Sequence, residues 1–160
     1  MPALREQLAE TESFLVAAEL VTSRGPAHDP LLEFAAELAG DPRVGVFSIT
    51  DNPGGNPMAA PDAVALDLAA RGCEVIVHVA TKDANRNALE SRAWQLASHG
   101  LHNVLALSGD YPVAGHRGAA EPVFDLDSVG LLALLSAMND GLPEARRPGE
   151  RLDRTDFFAG

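Results

Sequence analysis

Side chains able to do acid, base or hydrogen-bond chemistry close or interrupt successive apolar runs in this chain: Glu19; Thr50 with Asp51; His78 with Lys82 and Asp83; and Ser108, Gly109 and Asp110. Glu19 lies between Ala18 and Leu20. A carboxylate there is costly to bury unless it is paired, hydrogen-bonded or protonated. It is therefore either half of a structural ion pair or an acid kept for chemistry. Asp110 follows a glycine and precedes Tyr111-Pro112, which suits a turn former as well as a second carboxylate at the same mouth. Two carboxylates in different surroundings can divide the work of proton donor and electrostatic stabiliser. His78 shares the parity of Ile76 and Ala80, so it fits a hydrogen-bonded core histidine or a ligand contact. No second histidine stands at metal-ligand spacing, and no metal is expected. The loop Asp51-Asn52-Pro53-Gly54-Gly55-Asn56-Pro57 either lets a ligand approach the backbone or is a long solvated turn. Lys82 is the only lysine of the chain.

The elements that must carry these groups are predicted strands at Phe14 to Leu20, Val44 to Thr50, Glu74 to Thr81 and Asn103 to Ser108. Their starts recur about every thirty residues, the length of one βα unit. Helical periodicity fills the gaps. Asp29 and Pro30 read as N-cap and first helical position, with Leu31, Phe34, Ala35 and Leu38 on one face. A second helix runs from about Pro61 to Gly72, a third carries Leu89, Ala93, Leu96 and Ala97 before Gly100, and a fourth follows Asp127. Gly141 to Arg154 suits a loop, and Thr155 to Phe158 opens a fifth strand. Strands apolar almost throughout imply a parallel sheet covered by helices, in either a doubly wound or a barrel fold. The stretch after the first strand, Val21 to Pro26, lacks the GxGxxG of a dinucleotide-binding unit, whereas polar groups at successive strand ends suit a barrel mouth.

The chain has 160 residues, 46% of them hydrophobic, and a formal net charge of -11, which gives no electrostatic footprint for a nucleic acid. A single cysteine, Cys73, points to a reducing compartment, and the cytoplasm is expected. No run approaches the ~20 apolar residues that span a bilayer.

The succession Ala18-Glu19-Leu20, Ser48-Ile49-Thr50-Asp51-Asn52-Pro53, His78-Val79-Ala80-Thr81-Lys82-Asp83 and Leu105-Ala106-Leu107-Ser108-Gly109-Asp110-Tyr111-Pro112 resembles the methylenetetrahydrofolate reductases. Val123 to Ser128 and Asp156-Phe157-Phe158 extend the resemblance along nearly the whole chain. It implies a partial TIM (βα)8 barrel of about four βα units and the start of a fifth strand, occupying 1–160 as one domain that stops partway round. It also implies FAD as cofactor and reduction of 5,10-methylenetetrahydrofolate to 5-methyltetrahydrofolate in one-carbon metabolism. The electron donor, reduced nicotinamide or another, stays open. By the same resemblance Glu19 falls on the general acid and Asp110 on the carboxylate beside flavin and pterin. Thr50 and His78 match flavin contacts, and Ser108 and Gly109 match the stretch beside the phosphate-bearing chain. Many relatives carry arginine in place of Ser108 and others an aromatic residue in place of Asp51, and the Asp-Asn-Pro form resembles a divergent bacterial branch. The alternative is a non-catalytic half-barrel that pairs with a copy of itself or a partner subunit, since open sheet edges invite pairing.

Overall fold

The computed structural model describes residues 4–10, 14–111 and 120–160. Pro112, at the end of the fourth expected motif, lies outside them. Strands β1 (Val16–Leu20), β2 (Val44–Ile49), β3 (Val75–Ala80), β4 (Asn103–Leu107) and β5 (Phe158–Ala159) form one sheet in the order β1-β2-β3-β4-β5, every pair parallel. Helices α2 (Asp29–Ala39), α3 (Pro61–Ala70), α4 (Arg86–Ser98) and α5 (Ser128–Asn139) alternate with the strands, and a short α1 (Leu4–Ala9) precedes them. A doubly wound sheet reverses its strand order at a switch point. This one adds each new strand on the same side, which is how the wall of a (βα) barrel grows. The fold is α/β, a partial barrel wall.

Alternation along the strands sorts side chains to two faces. Leu20, Ile49, Val77 and Val104 are register partners across the sheet and all are buried, forming one row of the core against the helices. From the helices, Ala35, Val64, Leu68, Leu89, Leu96, Leu131 and Leu135 complete that core. The other face carries Glu19 paired with Ser48, then Ile76, then His78 paired with Leu105. It corresponds to the inside of the barrel and stays more open: Glu19 is exposed and Ser48 and Leu105 are half-buried.

The expected strands are all present, each shorter by a residue or two. Thr50, Thr81 and Ser108 leave the ladder, Thr81 opening a 3-10 turn over Thr81–Asp83. The fifth strand begins at Phe158, where the sequence points to Thr155 to Phe158. The expected N-cap at Asp29 is displaced: His28 occupies the cap without a side-chain hydrogen bond, and Asp29 is the first helical residue. Asp29 can still favour the helix start through its charge. Asn85 and Asp127 are working N-caps, accepting from Ala88 N and Gly130 N. The helix α1 has no counterpart among the expected elements. Six residues are too few for stability by propensity, and tertiary contacts hold it: Leu4 is buried, Leu4 N donates to Glu74 Oε1 at 2.8 Å, and Arg5 lies over the Phe158 ring.

Candidate active site at the carboxyl ends of the strands

The carboxyl ends of β1 to β4 bring the sequence-predicted residues to one edge of the sheet. His78 is almost fully buried near the end of β3, and its Nε2 meets Ser48 Oγ of β2 at 2.6 Å. Burial pushes the imidazole pKa below its ordinary value, while the charges of Glu19 and Asp51 pull it upward without overcoming that. The ring is therefore neutral at pH 7 and within Coulombic reach of Glu19. Thr50, also buried, donates its hydroxyl to Leu20 O at 3.3 Å and its N–H to the same carbonyl at 3.0 Å, tying the ends of β1 and β2 together. Glu19 departs from expectation in its surroundings. Its place in the strand suggests a buried carboxylate beside Asp110, whereas Glu19 is exposed, because the sheet's inner face is open along β1.

Beyond the strand ends the loops interlock. Asp110 is exposed and its Oδ2 accepts from Gly54 N at 2.7 Å, so the β4 loop grips the 3-10 turn Pro53–Gly55. Asn52, with φ 46°, donates to Asp83 Oδ2 at 3.0 Å and accepts from Met58 N at 2.8 Å. Lys82 is 1% exposed; its Nζ pairs with Asp83, and its stem lies under Gly109. Gly109 adopts φ +87°, and a Cβ there would stand 2.9 Å from Lys82 Cδ and 3.2 Å from Ala80 Cβ. Only glycine fits this approach without displacing its neighbours. Ser108 Oγ accepts from Ser128 N at the start of α5, a long contact of 3.4 Å. A cavity of about 150 Å³ lies between Asn52, Gly55, Asn56, Lys82 and Asp83.

Asp51 is not aimed at the mouth. Its Oδ2 accepts from Ala80 N at 3.0 Å and from Arg92 Nη1 at 2.7 Å. Arg92 also holds Asp62 through Nε and Nη2, the latter at 2.6 Å, and donates to His78 O at 3.2 Å. Burial works against the guanidinium charge, yet Asp51 and Asp62 together hold its pKa above the ordinary value. Sequence reasoning gives Ser48 no role and misses Arg92 and Asp62. A signal exists for Arg92: it stands three residues after Leu89, beside the buried stripe of α4, where a cation requires a partner.

The geometry accords with the outcome of comparison. The chain matches the methylenetetrahydrofolate reductase family over residues 4–140. It belongs to that family. Comparison with curated proteins finds no match. Membership makes this a fold of folate-reducing oxidoreductases, and the strand-end groups lie where such a barrel places its chemistry. Among the described residues no group of His, Cys, Asp and Glu is arranged to hold a metal ion, and no helix is long and apolar enough to cross a membrane.

To a flavin ring the inner face would present the Ser48–His78 pair and the Thr50 hydroxyl, beside half-buried Leu105 and Leu107. Past the end of β4, Lys82 and Ala80 fill the space beside Gly109, and Ser108 Oγ accepts from Ser128 N. The buried Lys82 and the half-buried Arg92 are already paired with carboxylates.

Proposed function

We propose that the chain carries the flavin- and folate-facing groups of an FAD-dependent reduction of 5,10-methylenetetrahydrofolate to 5-methyltetrahydrofolate. The observation that supports this most is the convergence of Glu19, Ser48, Thr50, His78 and Asp110 on one end of a parallel sheet in a chain of this family. Thr50 and His78 would hold the ring of FAD, with Ser108 and Gly109 beside its phosphate chain. Bound there, reduced FAD supplies the hydride.

The chain's own residues do the rest. Glu19, exposed on the inner face, is reachable by substrate and donates a proton to the folate nitrogen, so that the ring opens and the methylene carbon becomes electrophilic. Asp110, fixed by Gly54 N, presents a negative charge that favours the cationic carbon. Neutral His78 offers a hydrogen bond without adding positive charge against that cation.

The test is made in a preparation that reduces 5,10-methylenetetrahydrofolate. Glu19→Gln should retain FAD and lose about 10²- to 10⁴-fold in folate reduction, the usual contribution of one positioned acid. Near wild-type turnover would remove Glu19 from the mechanism. Failure of the wild-type protein to bind FAD at micromolar concentration would remove the flavin reading itself.

A second reading, a half-barrel that pairs with another polypeptide, draws on a different observation. Among the described residues β1 and β5 are the outer strands of the sheet, and Phe14 and Val16 are exposed at the β1 side. Unpaired strand edges favour association. Sedimentation velocity should then show a dimer or a partner complex at micromolar concentration; a compact monomer would count against it.

A further inference from the structure

Arg92 grips His78 from outside the sheet. One side of its guanidinium holds Asp62 through Nε and Nη2; Nη1 holds Asp51, and Nη2 also reaches the His78 carbonyl. Asp51 in turn receives Ala80 N. The backbone is thus fastened directly after His78: its own carbonyl is bound by Arg92, and the N–H two residues on is bound by Arg92's partner Asp51. The last register pair between β2 and β3 is Ile49 with Val77, so at His78 the ladder no longer fixes the strand from that side. Asp51 takes over where β2 has ended. The three side chains are largely enclosed, at 20% exposure for Arg92, 9% for Asp51 and 15% for Asp62.

We propose that Arg92, Asp51 and Asp62 form a positioning unit that fixes the end of β3, and through it the orientation of the His78 ring and its hydrogen bond to Ser48. This rests on the proposed role of His78 at the flavin only for its catalytic consequence; the positioning itself is a property of the protein alone. A planar five-donor guanidinium can serve two carboxylates and a carbonyl at once, whereas an ammonium on a flexible stem serves them only in part. Arg92 is a positioning residue, since it acts through His78.

The test is nitrogen and carbon NMR of the His78 imidazole in the full chain without added flavin, across pH. The charged groups bearing on the ring are Glu19 and Asp51. In the wild-type protein one tautomer should dominate, with a titration midpoint below that of a free histidine. Arg92→Lys keeps the charge but not the fork, and should give averaging between tautomers with loss of the Ser48 hydrogen-bond signature. Asp51→Asn should do the same and also move the midpoint down, because a carboxylate that favours the protonated ring is gone. Ser48→Ala supplies the reference spectrum of an unanchored ring. If Arg92→Lys does not fold, Asp51→Asn, which leaves the Arg92 pair with Asp62 intact, is judged by the same criterion. A single wild-type tautomer and unshifted midpoint in a natively folded Arg92→Lys or Asp51→Asn protein would overturn the proposal. Flavin titration of the same samples separates the two ideas. Changed His78 spectra with unchanged flavin affinity would keep the positioning unit and discard His78 as a flavin contact.

Discussion

Gly109→Ala tests whether the mouth is built as tightly as the close approach of Gly109 to Lys82 implies. Two costs act on this substitution. The first is backbone: a left-handed residue other than glycine costs about 1–2 kcal/mol. The second is steric. The new Cβ would meet Lys82 Cδ at 2.9 Å, Lys82 Cγ at 3.0 Å and Ala80 Cβ at 3.2 Å. Lys82 is 1% exposed and anchored at its far end by Asp83, so the middle of its stem has nowhere to swing. Overpacking of this kind costs about 1–3 kcal/mol. The total is roughly 2–4 kcal/mol after some relaxation. Gly72→Ala provides the control, because Gly72 has φ +80° and a Cβ added there would meet nothing within 4 Å. It bears the backbone cost alone. Urea unfolding followed by circular dichroism, with a slope of about 2 kcal/mol per molar, should therefore lower the midpoint by about 1–2 M for Gly109→Ala and by about half as much or less for Gly72→Ala. Equal midpoints for the two variants would show that Lys82 yields freely and that the packing under Gly109 does not constrain the loop carrying Asp110.

Stability should fall on acidification below pH 6.5, the ordinary histidine value, and continue to fall through the lower folded pKa of His78. In that window the unfolded chain binds the proton that the folded chain resists, so stability rises with pH. His78→Gln should flatten this part of the pH profile, and an unchanged slope measured by urea unfolding at several pH values would refute the assignment. Asp83→Ala should destabilise more than Lys82→Met. The first strands a buried ammonium whose carboxylate partner is removed, whereas the second keeps the stem volume and leaves Asp83, at 35% side-chain exposure, to water. The reverse order in thermal unfolding would mean that the Lys82 head group reaches solvent.

The strands were legible because they are apolar almost throughout, a feature of a parallel sheet. Their ends were legible only to a residue or two. Thr50 and Thr81 are β-branched like the strands they follow, yet both leave the ladder: Thr50 ties its hydroxyl back to Leu20 O, and Thr81 opens a 3-10 turn. The site was legible as a set of positions, since polar residues closing apolar runs at a thirty-residue period can only meet at one edge of the sheet. Partner choice was not. Asp51 looks like Asp110, an aspartate just past a strand, and what separates them is an arginine 41 residues further on that reaches back from α4. Likewise the burial expected at Glu19 follows from a strand read in isolation. The inner face of a wall is covered only by what stands opposite, and along β1 both Ala17 and Glu19 are exposed.

The aspartates and the glutamate at the strand ends thus fall into two kinds. Asp51 is enclosed, its Oδ2 shared by Arg92 Nη1 and Ala80 N, and Asp83 Oδ2 is shared by Lys82 Nζ and Asn52. Each of these carboxylates neutralises an enclosed cation, which its removal leaves unbalanced. Glu19 has no hydrogen bond from the described residues and is exposed on the inner face, and Asp110 is exposed with one oxygen held by Gly54 N. Those two remain available to substrate. The division predicts how variants should separate. Asp51→Ala and Asp83→Ala should lower the unfolding midpoint substantially, each by an amount in the range of a broken, partly screened ion pair. Glu19→Gln and Asp110→Asn should leave it nearly unchanged, because glutamine at an exposed site strands nothing and asparagine can still accept from Gly54. In a preparation that reduces 5,10-methylenetetrahydrofolate, the last two should instead lose turnover. An Asp110→Asn protein as unstable as Asp51→Ala would place Asp110 with the structural carboxylates, and leave Glu19 alone to carry the acid chemistry of this edge.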